Sequence, residues 1–220
     1  KIVPYLEHLV LHASTLIILV ITWERYFAIC RPLRNCNKPR PFLLISIMWV
    51  VAVITSLPFV FMTHLLEEVF IDGTPCFVCK TIINEYWHFF YISAMFVVYF
   101  VVPLGVLTLM YGGIIRKLYS DSVKLKDQIG SSEFYRLRSR KQVVRMLISL
   151  IVYFFVALLP LRVVIIWQIS SPSETIDQLG MESYYNIMWF ARIMMYTNSA
   201  GNPIIYSLFS SKFKMAFKRI

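Results

Sequence analysis

Glu7, His8, Arg162 and Arg192 are ionisable side chains set inside long apolar runs. A charge at the centre of a hydrocarbon layer costs ~2.5–3.5 kcal/mol on insertion scales, so such residues mark a functional site by default. Snorkelling or an internal ion pair is the competing structural role. Glu7 and His8 lie near the start of their run, Arg162 two residues after Pro160, and Arg192 in the first half of the last run. An acid, an imidazole and two guanidiniums at similar depth could line a water-filled cavity, or neutralise one another, Glu7 with Arg192 for instance. Glu24-Arg25-Tyr26 sets an acid beside a base where the first run breaks; mutual neutralisation would lower the cost of burying them. Pro103, Pro160 and Pro203 each remove a helical hydrogen bond and kink a helix. Asn198, Ser199 and Asn202 cluster near the last proline, and Ser14 is at mid-depth in the first run. Polar groups in such places glue helices together, bind an ion, or both. Cys76 and Cys79 form a lone C-x-x-C. With no second ligand pair this is a poor zinc or redox signal and reads as a loop that can oxidise.

These residues need elements to hold them. Of the 220 residues, 58% are hydrophobic and 15% charged, against ~45–50% and ~25% in soluble domains. The mean hydropathy is +0.65. Five runs reach the ~20 apolar residues a spanning helix needs: about 1–31, 42–62, 86–119, 137–169 and 183–208. They are too long and continuous for barrel strands, and only helices and closed barrels satisfy the backbone in lipid. The expected fold is an all-α membrane protein, one transmembrane domain over 1–220. All but four of the 22 basic residues (Lys1, Lys80, Arg162 and Arg192) fall on one side of these spans, which makes that side cytoplasmic. The formal charge of +10 is therefore a topology signal, and nucleic acid is not an expected partner. The outer loops hold Glu67, Glu68, Asp72, Glu85, Glu174, Asp177 and Glu182. Cys30 and Cys36 fall inside, where thiols stay reduced. No basic n-region and cleavage pattern marks a signal peptide. Asp72-Gly73, between runs of β-formers, predicts a hairpin in the outer loop. Residues 120–139 read as two helical extensions with a tip at Gly130-Ser131-Ser132. Phe213, Ala216, Phe217 and Ile220 share one face of a short helix over 210–220 with bases opposite, a pattern that lies against membrane lipids.

Glu24-Arg25-Tyr26 at the end of one span and Asn202-Pro203-Ile204-Ile205-Tyr206 at the end of another resemble the two signatures of rhodopsin-like (class A) G-protein-coupled receptors. Pro103 with Tyr111, and Phe154 with Pro160, stand at matching places. The resemblance covers the whole chain, and "ERYFAICRPLR" and "TNSAGNPIIYSLFSSKFKMAFKRI" are most similar to the peptide-receptor group of the thyrotropin-releasing hormone, ghrelin and neurotensin receptors. It implies a seven-helix receptor fold, of which this chain supplies the third to seventh helices and the short eighth. The first two helices would then lie outside the sequence, and the family's third-helix cysteine would fall just before Lys1. Its disulfide partner is then Cys79 or Cys76, with Cys79 preferred.

The resemblance also implies roles. A plasma-membrane, multi-pass receptor would bind an extracellular peptide through Glu7, His8, Arg162 and Arg192, and would be no enzyme. It would couple to a heterotrimeric G protein through Arg25 and Leu33, and engage arrestin. Glu24, Arg25, Tyr26, Tyr111, Phe154, Pro160, Asn202, Pro203 and Tyr206 would form the activation switch. No cofactor is implied beyond a sodium ion near Ser14, Asn198, Ser199 and Asn202, whose main acidic ligand lies outside this chain. Two departures stand out. Leu158 replaces the family's tryptophan before Pro160, and Arg140 or a neighbour stands where some members carry an acid at the inner end of the sixth helix. Without that acid, measurable basal activity is expected. The alternatives are the same fold with a lipid or other small-molecule ligand, a truncated non-signalling chain, and a transporter or channel. The last would need mid-depth charges and an inverted repeat, and none is seen.

Overall fold

The computed structural model describes residues 1–31, 41–69, 73–124, 132–171, 179–209 and 215. Leu33 and its basic loop, Asp72, the 125–131 tip, Glu174, Asp177 and all of 210–220 except Met215 lie outside them. Two compact units divide the chain, Lys1–Leu107 and Thr108–Ile220.

In the first unit α1 (Ile2–Cys30) is followed by α2 (Pro41–Ser56) and α3 (Pro58–Met62), with Pro58 at the first turn of α3. A proline is well placed there, since the missing N–H would be unpaired anyway. Strands β1 (Thr63–Val69) and β2 (Pro75–Thr81) then pair antiparallel, with Leu65 opposite Cys79 and Glu67 opposite Phe77. The expected hairpin is thus present, and Gly73 carries the positive φ of +84° that favours glycine. α4 (Tyr86–Phe96) runs through a π-helical turn, Val97–Val101, into α5 (Val102–Lys124), of which the part after Leu107 belongs to the second unit. Pro103 accounts for that turn. Its ring would meet the carbonyl of Tyr99, four residues back; the chain widens instead, and Val102 N–H bonds to Val97 O. α1 packs against α2, α3 and the π turn, around Leu9, Leu11, Ala13, Ala52, Phe59, Met62 and Tyr99.

In the second unit α6 (Ser132–Ser170) and α7 (Met181–Phe209) pack against each other. Helix continues through Pro160 in α6 and Pro203 in α7. Phe154, Phe155, Ala157, Leu158, Ala191, Met195 and Ile205 form the core. The 39 residues of α6 reach about 58 Å at 1.5 Å per residue, beyond the ~30 Å hydrocarbon layer. Its Arg-rich beginning therefore projects into water. Ile2–Cys30, Phe42–Met62, Tyr86–Lys124 and Ser132–Ser170 are each long and apolar enough to cross a membrane. Phe42, Phe90, Leu109 and Trp189 are exposed, as befits helices solvated by acyl chains rather than water.

Candidate functional site

Glu7 and His8 stand on α1 in the first unit. The His8 ring stacks on Phe59 of α3 with centroids 3.5 Å apart and planes 3° from parallel. One helical turn further along α1 is His12, fully buried and 6.1 Å from His8, ring to ring. Sequence reasoning passed over His12, yet it is the centre of this region. Its Nδ1 is 3.1 Å from Ser56 Oγ and 3.3 Å from Thr55 Oγ1. Its face stacks on Tyr99 at 3.8 Å, the residue held in the π turn. Thr55 Oγ1 and Tyr99 Oη are 2.8 Å apart, and Thr55 also donates to Val51 O at 2.8 Å. Tyr91 donates to Thr55 O and meets Phe59 edge-on at 5.3 Å. Two imidazoles at i and i+4 lie on one helix face, so the pair was visible in the sequence. Its hydroxyl partners, more than 40 positions away, were not. The resulting node ties α1, α2 and the π turn together directly beneath Glu7 and His8.

Arg162 and Arg192 stand in the second unit. Arg162 is buried, and its Nε makes no hydrogen bond among the described residues. Arg192 is exposed. Among the described residues side-chain hydrogen bonds join α6 to α7 at three levels, and both arginines lie between the middle and outer ones. At the outer end Gln168 Nε2 donates to Tyr184 Oη at 2.6 Å and to Met188 Sδ at 3.6 Å. In the middle Tyr153 Oη donates to Thr197 O at 2.8 Å. At the inner end Gln142 Nε2 donates to Phe209 O at 2.6 Å. Phe154 is buried edge-on to Phe155 at 5.4 Å, and Leu158 is buried.

At the inner end of α1 one expectation is corrected. Glu24 and Arg25 are both exposed, and no ion pair joins the two, unlike Lys117 and Asp121, which stand 2.9 Å apart. Neighbours along a helix point about 100° apart and do not face each other. Glu24 instead turns toward the α1–α2 groove, beside Ile17, Ile21, Leu44 and Met48. Tyr26 packs edge-on to Phe27 at 5.7 Å. Tyr111 is buried, Tyr206 and Pro160 half-buried, and Asn202 and Pro203 exposed.

The implied ion-binding set divides between the units, Ser14 in the first and Asn198, Ser199 and Asn202 in the second. Within the second, Asn198 is buried and its Oδ1 has no hydrogen-bond partner among the described residues, whereas Ser199 and Asn202 are exposed. Asn198 Oδ1 is thus a buried acceptor that suits a cation. The described residues hold no cluster of three His, Cys, Asp or Glu for a metal ion. On the hairpin, Cys79 is exposed, with its Sγ 3.7 Å from the amino group of Lys1; the side chain of Cys76 is outside the described set.

Residues 1–206 match the 7 transmembrane receptor (rhodopsin family) model, and the chain belongs to that family. It is a multi-pass plasma-membrane protein of a receptor family, not an enzyme family. Its relatives sharpen this. The chain is 29% identical over 99% of its length to the thyrotropin-releasing hormone receptor of Bos taurus, covering 59% of that protein. It is 28% identical over 94% of its length to the neuromedin U receptor homolog nmur-2 of Caenorhabditis elegans, covering 57%. It is 28% identical over 91% of its length to the somatostatin receptor type 2 of Mus musculus, covering 52%. The chain therefore spans a little over half the length of the curated relatives it matches.

Proposed function

We propose that this chain is the signalling core of a receptor that passes the binding of an extracellular peptide to a cytoplasmic heterotrimeric G protein. The observation that carries the peptide assignment is Arg162, a buried guanidinium whose Nε lacks a hydrogen-bond partner among the described residues. A buried charge is costly until a partner satisfies it, and the carbonyls and carboxylates of a peptide are such partners. Relatives whose names specify thyrotropin-releasing hormone, neuromedin U and somatostatin support the same class. In this reading Arg162 and Arg192 are ligand contacts, and so are Glu7 and His8.

Ligand binds the active conformation more tightly and so shifts an existing equilibrium. The inner half of α6 swings about Pro160, and Arg25, Tyr26, Tyr111, Phe154, Asn202, Pro203 and Tyr206 rearrange. The opened cytoplasmic face admits a helix of the G protein in the helix-in-groove manner, with Leu33 as a further contact; arrestin uses the same face. Asn198 is the residue we assign to a sodium ion, with Ser199 and Asn202 of the same helix. Cys79 is our assignment for the hairpin half of a disulfide, supported by its closeness to Lys1.

Screening the full-length receptor against peptide and lipid libraries tests the assignment; activation by lipids or amines alone would overturn it. Arg192→Ala should weaken agonist potency ten- to a hundred-fold, about 1.4–2.8 kcal/mol, with surface expression intact. Equal loss of expression would mean that Arg192 is structural.

A further inference from the structure

The three bridges between α6 and α7 follow one antiparallel register: 142 to 209, 153 to 197 and 168 to 184. Pro160 falls between the middle and outer bridges. Two of the three end on main-chain oxygen of α7. Phe209 closes α7, and the last carbonyls of a helix have no partner within it, so Gln142 satisfies an orphan. Thr197 O can keep its helical bond and use its second lone pair for Tyr153 Oη. The middle bridge is shaped by Gly201. A Cβ there would stand 2.0 Å from Tyr153 Cε1 and 2.5 Å from Cζ, so only glycine lets the tyrosine ring lie flat enough on α7 for its hydroxyl to reach Thr197.

We infer that Tyr153, seated on Gly201, and Gln142 are a latch that holds the inner half of α6 against α7 in the resting receptor. Gln168, beyond Pro160, is the fixed end about which that half turns. The inference rests on the receptor reading given under Proposed function for its signalling readout, but not for its geometry. A swing of α6 below Pro160 separates the inner and middle bridges and leaves the outer one joined. Tyr153 and Gln142 act by positioning α6.

The test uses the full-length receptor with nitroxide labels at Arg138→Cys and Leu208→Cys, both exposed, in a background with Cys30→Ser and Cys36→Ser. It records the α6–α7 distance distribution together with basal signalling per receptor at the surface. Tyr153→Phe keeps the ring and its packing and removes one neutral hydrogen bond. The separated population and the basal signal should both rise about five-fold. Gln142→Leu should act in the same direction, and Gln168→Leu should raise neither. Gly201→Ala displaces the tyrosine ring and should exceed Tyr153→Phe, and adding Tyr153→Leu to it should bring the effect back to the Tyr153→Phe level. An unchanged distance distribution in Tyr153→Phe overturns the latch, whatever the receptor signals. A shifted distribution in a receptor that no agonist activates upholds the latch and removes the receptor reading instead.

Discussion

The node around His12 and the α6–α7 pair hold their helices by opposite means. At His12 an imidazole, one stacked aromatic ring and three hydroxyls converge, with the His8–Phe59 stack one helical turn away. Each group leans on at least one other, so polarisation along the chain makes the whole stronger than its parts. Along α6–α7 the bridges stand far apart, the inner and middle ones a single hydrogen bond each and the outer one Gln168 shared between Tyr184 and Met188, and the helix between them carries a proline. A dense node resists any small displacement. Separate rungs let one part open while another stays shut. On the proposed reading both behaviours are needed, a firm floor beneath Glu7 and His8 and a helix pair that can part.

His12→Leu probes the difference most severely. It strands the Ser56 hydroxyl, takes one of several partners from Thr55, and should cost about 2–3 kcal/mol, seen as a lower melting midpoint in detergent and severalfold less receptor at the surface. A stability loss under 1 kcal/mol would mean the node is not a unit. Coupling is the sharper probe. Thr55→Val and Tyr99→Phe, whose oxygens are 2.8 Å apart, should show an interaction energy of about 1 kcal/mol in a double-mutant cycle. Gln142→Leu and Gln168→Leu, roughly 39 Å apart along α6, should be additive within about 0.5 kcal/mol; coupling between them would erase the contrast. The smallest effect belongs to Lys117→Ala, which breaks the i,i+4 pair with Asp121. That half-exposed pair should contribute no more than about 0.5 kcal/mol, leaving both melting and signalling unchanged.

The apolar runs announced the helices because lipid allows few other ways to satisfy a backbone, and Asp72-Gly73 announced the hairpin because a tight turn demands such residues. Much of the candidate site was legible in the same manner, since Arg162 and Arg192 break runs that tolerate few charges. The rest depended on contacts between residues far apart in sequence. Nothing beside Tyr153 points to Gly201, nor beside His12 to Thr55 and Ser56. Glu24-Arg25 misled for the reverse reason. Adjacency along the chain was taken for proximity of side chains, and the helix turns the two apart.

The π turn at Val97–Val101 adds a residue to what would otherwise be an uninterrupted α-helical phase. Removing one residue there would restore that phase and rotate Tyr86–Phe96 by about 100° relative to α5. Tyr91 would then leave Thr55, although every residue after Pro103 kept its place. The turn thus works as a vernier. It lets the outer and inner halves of one transmembrane rod be tuned to different neighbours, and it makes a single-codon deletion in this stretch far more damaging than any single substitution.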